Sequence, residues 1–288
     1  MTLAAEPFVR LSWSQISCYA QCPAKWWFSR NLPPERTPSP LHFGRAVHKA
    51  LDLFYGARME GGNVGLDELL EAFKASWNDQ PEAPLQFAEK EDAGSLKAMA
   101  ERMLAAFLET VQPGEVIAVE QPFAAEVAEG VLVTGAVDLV EVKAGRFWIV
   151  DNKTSKNSPS ASFDKDQLAL YLVGLQEAGL VPFVSDVGLR YDVLRKLKTK
   201  GEFATLEVEV SERGMDALRQ KVSAIAKAVR GRIVWRNPSW ACAGCQWARA
   251  CSEADLESET AGGTEGCGGA QGARCAGAEE YGLFGGFP

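Results

Sequence analysis

Two aspartates and a lysine are the first side chains whose types and spacing could do chemistry. Asp138 ends a Thr-Gly-Ala-Val-Asp run, and Asp151 and Lys153 form an Asp-x-Lys triplet. If the turn between them centres on Ala144-Gly145, paired residues sum to 289, and the two aspartates face each other with their Cβ atoms about 5 Å apart. Lys153 then lies on the same face as Asp151. Two neighbouring carboxylates repel unless a cation lies between them, so the pattern predicts a divalent-metal site for phosphodiester hydrolysis.

The spacing alone leaves a second interpretation open, in which these three residues form only a cross-strand salt-bridge network. An acid-x-Lys triplet is also a weak signal, because the chain contains another, Glu141-Val-Lys143. Strand alternation separates the two triplets, since it places Glu141 and Lys143 on the face opposite Asp138.

Three further polar residues favour the enzymatic interpretation. His48 lies in the middle of a predicted helix, after Gly44-Arg-Ala-Val. Gln167 and Tyr171 are four residues apart on a later predicted helix and therefore share a face. Each also has a plain structural interpretation, a core histidine and an ordinary amphipathic boundary.

Cysteines form the second chemical group. Cys242, Cys245 and Cys251 place three thiolates within ten residues, whereas a tetrahedral zinc site or a 4Fe–4S cluster needs four ligands. All-thiolate ligation suits either metal centre, and a redox Cys-x-x-Cys is a third interpretation. The remaining cysteines are Cys18, Cys22, Cys267 and Cys275. Cys18 is expected to be a core thiol, and Cys267 and Cys275 are either spare thiols or an alternative source of the fourth ligand.

The elements that must position these groups change in type along the chain. Periodicity and capping predict helices over 12–28, 41–59, 67–77 and 93–111, then strands over 116–120, 123–127, 131–142 and 147–151. A helix over 164–177, strands over 187–194 and 204–210, and a helix from Ser211 to about Arg230 follow. A helical front, a sheet with one crossover helix and a cysteine-bearing end predict an α/β or α+β class.

Composition limits the class of protein further. The 288 residues are 47% hydrophobic and 24% charged, which excludes wholesale disorder, and neither a membrane span nor a secretory signal is evident. Seven cysteines without such a signal predict a soluble protein of the reducing cytoplasm. The formal charge of −8 argues against a basic nucleic-acid-coating protein, but Ser252–Pro288 carries −6 of it, so the body can still hold a basic groove.

Taken in order, His48, Gly135-x-x-Asp138, Asp151-x-Lys153-Thr-Ser and Gln167-x-x-x-Tyr171 resemble the PD-(D/E)XK nuclease superfamily. They are most similar to its RecB-like branch, which includes iron–sulfur exonucleases of recombination and CRISPR adaptation. The resemblance covers about residues 12–251 and implies an α/β restriction-endonuclease-like mixed sheet flanked by helices. Its one departure is that the second acid is Asp151 rather than the commoner Glu.

The resemblance implies a role for each matching residue. His48, Asp138 and Asp151 would ligate Mg²⁺ or Mn²⁺, Lys153 would position the nucleophile, and Gln167 and Tyr171 would support the site or the DNA backbone. It also pairs an N-terminal Cys-Pro with the C-terminal trio, which implies that the ligands of a 4Fe–4S cluster are Cys22, Cys242, Cys245 and Cys251.

The expected protein is thus a metal-dependent DNA exonuclease acting on single strands or ends, in recombination, repair or CRISPR adaptation. The alternative on the same fold is a non-catalytic nucleic-acid-binding or adaptor subunit. Residues 1–260 would form the nuclease domain with its cysteine clasp. Residues 261–288, rich in glycine and acidic, would form a flexible tail that either docks a replication or recombination protein or has no role. Basic residues near the second half of the sheet are candidate phosphate contacts: Arg190, Arg195, Lys196, Lys198 and Lys200.

Overall fold

The computed structural model describes residues 8–158, 163–183, 186–254 and 256. The chain divides into two units, Met1–Ala254 and Asp255–Pro288, and Leu256 is the described residue of the second. The predicted tail, Cys267 and Cys275 lie outside the described residues, so the boundary at 260 stays a prediction. Among the described residues, no helix combines the length and the apolar character that crossing a membrane requires.

Five helices form the front of the chain, where four were predicted. Ser12 caps the first, accepting a hydrogen bond from the N–H of Gln15. The predicted helix over 12–28 is two helices, because Cys22 has an extended backbone with φ of −160° and Pro23, which lacks an N–H, begins the next one. The helices are α1 (Trp13–Gln21), α2 (Pro23–Asn31), α3 (Ser39–Met59), α4 (Leu66–Asn78) and α5 (Ala93–Thr110).

A six-stranded mixed sheet forms the centre. Its strands are β1 (Val9–Leu11), β4 (Glu115–Ala128), β5 (Val131–Lys143), β6 (Arg146–Ser155), β7 (Val187–Arg195) and β8 (Phe203–Val208). They run in the order β1-β5-β6-β7-β8, and β4 pairs with β5. The strands predicted over 116–120 and 123–127 are one continuous β4. A separate parallel pair joins β2 (Thr37–Pro38) to β3 (Leu85–Gln86).

Helices cover both faces of this sheet. On one face lie α1, α6 (Lys165–Glu177) and α7 (Glu212–Arg230); on the other lie α3, α4 and α5. Helix α6 is the crossover between the parallel strands β6 and β7. A 3-10 helix (Trp240–Gly244) and α8 (Ala248–Glu253) follow. The α/β class and the mixed sheet flanked by helices are therefore confirmed.

The β5–β6 hairpin has the register that the sequence predicts. Ala144 and Gly145 both have positive φ, 52° and 76°, as a two-residue type I′ turn requires. The paired residues run from Lys143 opposite Arg146 to Leu139 opposite Val150, where the pairing of β5 with β6 ends. Strand β6 continues alongside β7 to Ser155. The same edge of β5 is paired to β1 only over 131–133. Between these two contacts the edge carries no paired strand in the described part of the chain, and the sheet opens beside Asp138.

Candidate active site

Asp138 and Asp151 lie where the β5–β6 hairpin opens. The Oδ2 atom of Asp138 accepts a hydrogen bond of 2.7 Å from the backbone N–H of Asn152, which follows Asp151. Asp138 is 9% exposed and Asp151 is 1% exposed. Burial, and then the charge of Asp151, raise the pKa of Asp138 well above its ordinary value. The fold thus holds two carboxylates in a confined place where a cation would relieve the repulsion.

Lys153, Gln167 and Tyr171 form a hydrogen-bonded chain that begins at Asp151. The amide nitrogen of Gln167 donates to Asp151 Oδ1 and to the Tyr171 hydroxyl, each at 2.7 Å. Its amide oxygen accepts from Lys153 Nζ at 3.0 Å, and Nζ also lies 2.5 Å from Asp151 Oδ2. Gln167 therefore fixes the aspartate and the lysine relative to each other, using both ends of one amide.

His48 lies on α3, which covers the face of the sheet opposite α6, and its side chain reaches Asp138. Its Nδ1 lies 3.6 Å from Asp138 Oδ2. Burial lowers the pKa of His48, and the charge of Asp151 opposes that effect only in part. A neutral imidazole keeps a lone pair for a metal ion, so the protonation state suits a ligand.

Glu120 on β4 is a member of the site that the sequence analysis missed. One ligand atom each from His48, Glu120 and Asp138 lie within 4.8 Å of one another. Glu120 has a φ of 49°, a left-handed conformation that a non-glycine residue adopts at a cost and that recurs at functional sites. Glu120 is exposed overall, but partial desolvation of its carboxylate and the nearby Asp52 raise its pKa. The site therefore has a third carboxylate facing the histidine.

Hairpin arithmetic could have found Glu120, but only to within one residue. A turn centred on Glu129-Gly130 pairs residues that sum to 259, which would place Leu139 opposite Glu120. The observed pairs, such as Val119 with Leu139, sum to 258 because the register shifts between Glu126 and Ala128. That bulge places Glu120 opposite Asp138 instead.

These geometric features occur in a chain whose sequence also matches a known family. A family model of the PD-(D/E)XK nuclease superfamily matches residues 10–252. The chain belongs to the PD-(D/E)XK nuclease superfamily. A comparison with curated proteins finds no match.

Solved structures with similarity to this PD-(D/E)XK protein include two crystal structures, each 12% identical to it. One is SSO0001, with a TM-score of 0.33, where the match covers 74% of this chain and 84% of that one. The other is a protein from Eubacterium rectale named "Putative exonuclease", with a TM-score of 0.38, where the match covers 78% of this chain and 95% of that one.

Gly135, in the Gly-x-x-Asp motif of this PD-(D/E)XK chain, is tightly packed. A Cβ atom there would lie 3.0 Å from the Phe123 ring and 3.9 Å from the Tyr171 ring. Phe123 is itself buried and packs edge-on against Tyr171 at 5.8 Å between ring centroids. The glycine therefore lets the aromatic layer under the site close against β5.

The second acid-x-Lys triplet lies away from the site, as alternation predicts. Glu141 is fully buried, and its Oε1 lies 3.0 Å from a guanidinium nitrogen of Arg190. Arg190 also pairs with both carboxylate oxygens of Asp192, at 2.6 and 2.9 Å. Arg195 pairs with Glu202 at 2.8 Å. Both arginines therefore have acidic partners within the protein, and their role as phosphate contacts stays a prediction.

The four cysteines singled out in the sequence line one cavity of about 220 Å³: Cys22, Cys242, Cys245 and Cys251. Their thiols are free, as is that of Cys18. Among the described residues, no three thiol sulphurs lie within 4.8 Å of one another. Thiolates around a tetrahedral zinc ion would be about 3.8 Å apart, given a Zn–S bond of about 2.3 Å.

Hydrogen bonds hold the two halves of this cysteine site together. Arg36 donates two bonds to the carbonyl of Cys245, at 3.2 and 3.0 Å, and the side-chain amide of Asn237 donates one to the carbonyl of Gln21, at 2.8 Å. The N–H of Ala24 donates to the carbonyl of Trp235 at 3.0 Å. Burial raises the pKa of the Cys245 thiol. The region around α2 and the region after α7 therefore form one local structure.

Proposed function

We propose that this protein is a divalent-metal-dependent nuclease that hydrolyses phosphodiester bonds of DNA, acting on single strands or ends. The observation that carries the proposal is the group of His48, Glu120 and Asp138, whose ligand atoms lie within 4.8 Å of one another next to the strand that carries Asp151 and Lys153. Membership of the PD-(D/E)XK superfamily supports a nuclease, and the superfamily gives nucleic acid as the class of substrate. Recombination, repair and CRISPR adaptation remain the pathways that this assignment fits, in the cytoplasm.

The residues fit a hard divalent ion. Carboxylate oxygens are the ligands that Mg²⁺ and Mn²⁺ prefer, and a neutral imidazole adds affinity for Mn²⁺. His48, Glu120 and Asp138 are grouped closely enough to hold one ion, and Asp151 is the further ligand that the superfamily resemblance implies. When bound, the ion supplies a Lewis acid for the phosphate oxygens and lowers the pKa of a bound water.

The protein's own groups would then align the reaction. The oxygen of a water molecule forms a bond to phosphorus, the bond from phosphorus to one ester oxygen breaks, and that oxygen takes up a proton. The products are a phosphomonoester and an alcohol. The Lys153 ammonium, held by Gln167, would stabilise the negative charge that develops on the phosphate, and Tyr171 would fix Gln167.

Cleavage of defined DNA substrates tests this function. We expect wild-type protein with Mg²⁺ or Mn²⁺ to shorten end-labelled single strands and to leave single-stranded circles intact, and EDTA to stop the reaction. Asp151→Asn should lose at least 100-fold in rate, whereas Asp216→Asn, an exposed acid on α7, should match wild type. Binding without cleavage under every metal condition would instead favour the non-catalytic subunit, and cut circles would contradict the requirement for ends.

For the cysteine site we propose a 4Fe–4S cluster ligated by Cys22, Cys242, Cys245 and Cys251. All four cysteines line one cavity, which supports a shared metal centre, and the superfamily resemblance favours the iron–sulfur cluster over zinc. An N–H of Ser239 points at Cys242 Sγ at 3.5 Å, a contact of the kind that tunes such clusters. Iron and sulfide analysis of anaerobically purified protein tests the assignment, and one zinc per chain without iron would refute it.

A further inference from the structure

A cleft of about 490 Å³ opens beside the C-terminal end of β6 and contains five basic residues. We call it the basic cleft, and its bases are Lys90, Arg102, Lys156, Lys196 and Lys198. They come from four separate parts of the chain: the loop before α5, α5 itself, the end of β6 and the loop after β7. Only Lys196 and Lys198 are among the phosphate contacts predicted from the sequence, because the other three bases are distant along the chain.

The acids in the basic cleft offset little of this charge. Glu89 pairs with Lys90 at 3.7 Å, but both side chains are almost fully exposed and such a pair is weak. Glu91 accepts hydrogen bonds from the Ser39 hydroxyl and from the N–H of Ala88, so it serves the local loop. Within the described residues, no acid lies within 4.0 Å of Lys156, Lys196 or Lys198.

Two of the cations are held partly away from water without a strong partner. Lys196 Nζ lies 4.8 Å from the centre of the Phe43 ring, and burial lowers the pKa of Lys196 to about 8. The Nε atom of Arg102 is buried and has no hydrogen-bond partner in the described part of the chain. Unpaired buried donors are uncommon and costly, so the cleft is suited to an anion that supplies the missing acceptors.

The basic cleft adjoins the active site along β6. The N–H of Lys196 donates to the carbonyl of Ser155 at 2.7 Å, and Lys156 follows Lys153 by three residues, at most about 10 Å of extended chain. Helix α3 connects the two places as well, because Phe43 lies under Lys196 and His48 lies little more than one turn further along. A strand whose scissile phosphate is at Asp151 can therefore continue into the cleft.

We propose that the basic cleft binds the phosphates of a single DNA strand next to the scissile bond. A cleft of this volume takes a ligand of one or two nucleotides and is too small for a duplex. The ligand is thus a polyanion recognised by charge and not by base sequence. The inference rests on the proposed nuclease function in that it identifies the bound strand as the substrate.

Salt-dependent binding tests the basic cleft separately from cleavage. A fluorescently labelled single strand is titrated with full-length protein in EDTA by anisotropy, at several salt concentrations. We expect Lys156→Gln/Lys196→Gln to weaken binding at least tenfold and to reduce the slope of log K against log salt by about 1.4, because each lost phosphate contact on a single strand contributes about 0.7. Lys74→Gln/Lys227→Gln removes equal charge from α4 and α7 and should leave the slope unchanged.

The outcomes separate the two proposals. If wild type cleaves DNA but the cleft variant keeps the wild-type slope, the cleft proposal is overturned and the nuclease stands. If wild type binds DNA without cutting it, the nuclease proposal fails, and the slopes still decide whether the cleft holds the strand. Free mononucleotide that competes as well as the strand, at equal phosphate concentration, would assign the cleft to a small nucleotide and overturn a strand site.

Discussion

The carboxylate of Asp138 accepts its hydrogen bond from the backbone N–H of Asn152, across a hairpin whose ladder has already ended. The Asp138 side chain therefore takes the place of the next backbone hydrogen bond between β5 and β6. This bond fixes the Asp138 carboxylate beside the strand that carries Asp151 and Lys153, and it does so without a bound ion. The site is in this sense organised in advance, as catalytic carboxylates need to be.

Asp138→Asn should separate the role of the charge from the role of the hydrogen bond. The amide oxygen can still accept from Asn152, so the fold should survive, but Mn²⁺ should no longer raise the melting temperature. In wild type, Mn²⁺ at 100 times its Kd should stabilise the fold by about 2.7 kcal/mol. Thermal unfolding with and without Mn²⁺ measures the stability of the fold and its increase on metal binding. If Mn²⁺ raised the melting temperature of the variant as much as that of wild type, metal binding by Asp138 would be contradicted.

The pH dependence of the metal-free protein follows from the raised pKa of Asp138. Because the folded carboxyl keeps its proton to higher pH than the unfolded one, the folded state binds more protons above the ordinary value of about 4. The contribution of Asp138 to stability therefore falls as the pH rises through that window. In EDTA, Asp138→Asn should be at least as stable as wild type at pH 7. Asp216→Asn is the matched control, and a large loss of stability in Asp138→Asn alone would count against this reasoning.

Gln167→Leu should act through Lys153 and Asp151, which makes Gln167 a positioning residue. The substitution removes the amide that fixes both groups, and losing such a supporting contact typically costs 10- to 100-fold. We expect kcat to fall by that factor while KM and the affinity for DNA in EDTA stay near wild type. Gln167→Glu keeps an acceptor for Lys153 but loses the donor to Asp151 and adds a second negative charge beside it, so it should not recover kcat. A rise in KM without a change in kcat would indicate a role in binding.

Gly135→Ala should destabilise the fold by about 1–3 kcal/mol, because the new methyl group would lie 3.0 Å from the buried Phe123 ring. Adding Phe123→Leu removes the clash and should restore part of the loss. Denaturant unfolding of the single and double variants measures the coupling between the two positions. Strictly additive effects would show that the ring is not what the glycine accommodates.

Cys245→Ser should abolish the visible absorption of the cluster and lower the melting temperature steeply, since metal-binding energy in such sites is of the order of 10 kcal/mol of folding energy. Cys18→Ser is the matched control, because burial raises the pKa of the Cys18 thiol but the thiol does not line the cavity. We expect that variant to keep its colour. If Cys18→Ser lost the cluster and Cys22→Ser kept it, the N-terminal ligand would be Cys18 and not Cys22.

Lys196→Met should stabilise the metal-free protein at pH 7, although it weakens DNA binding. The pKa of about 8 in the folded state is below the ordinary value of about 10.4, so burial of the charged lysine costs stability below pH 8 and this cost disappears as the pH rises through that window. Glu91 favours the charged form and Lys156 opposes it. The melting temperatures of wild type and Lys196→Met should therefore converge as the pH rises from 7 to 10.5. A difference that stays constant over this range would show that the charge of Lys196 is not its cause.

The sequence predicts the site where its geometry is local. A two-residue turn at Ala144-Gly145 sets the register that brings Asp138 towards Asp151, and helical spacing places Gln167 and Tyr171 on one face. Glu120 could not be placed in the same way, since a bulge of one residue changes its partner. Arg190 had the appearance of a surface base because its partner Glu141 lies 49 positions away and no local pattern reports that pair.

The bridging of α2 to the segment after α7 also affects how the protein is made. Cys22 is synthesised 229 positions before Cys251, and at about 5–20 residues per second that interval is roughly 10–50 s. During this interval Cys22 lacks the segment after α7, which lines the cavity with it in the folded protein. Assembly of the cysteine site therefore cannot be completed before Cys251 has been synthesised.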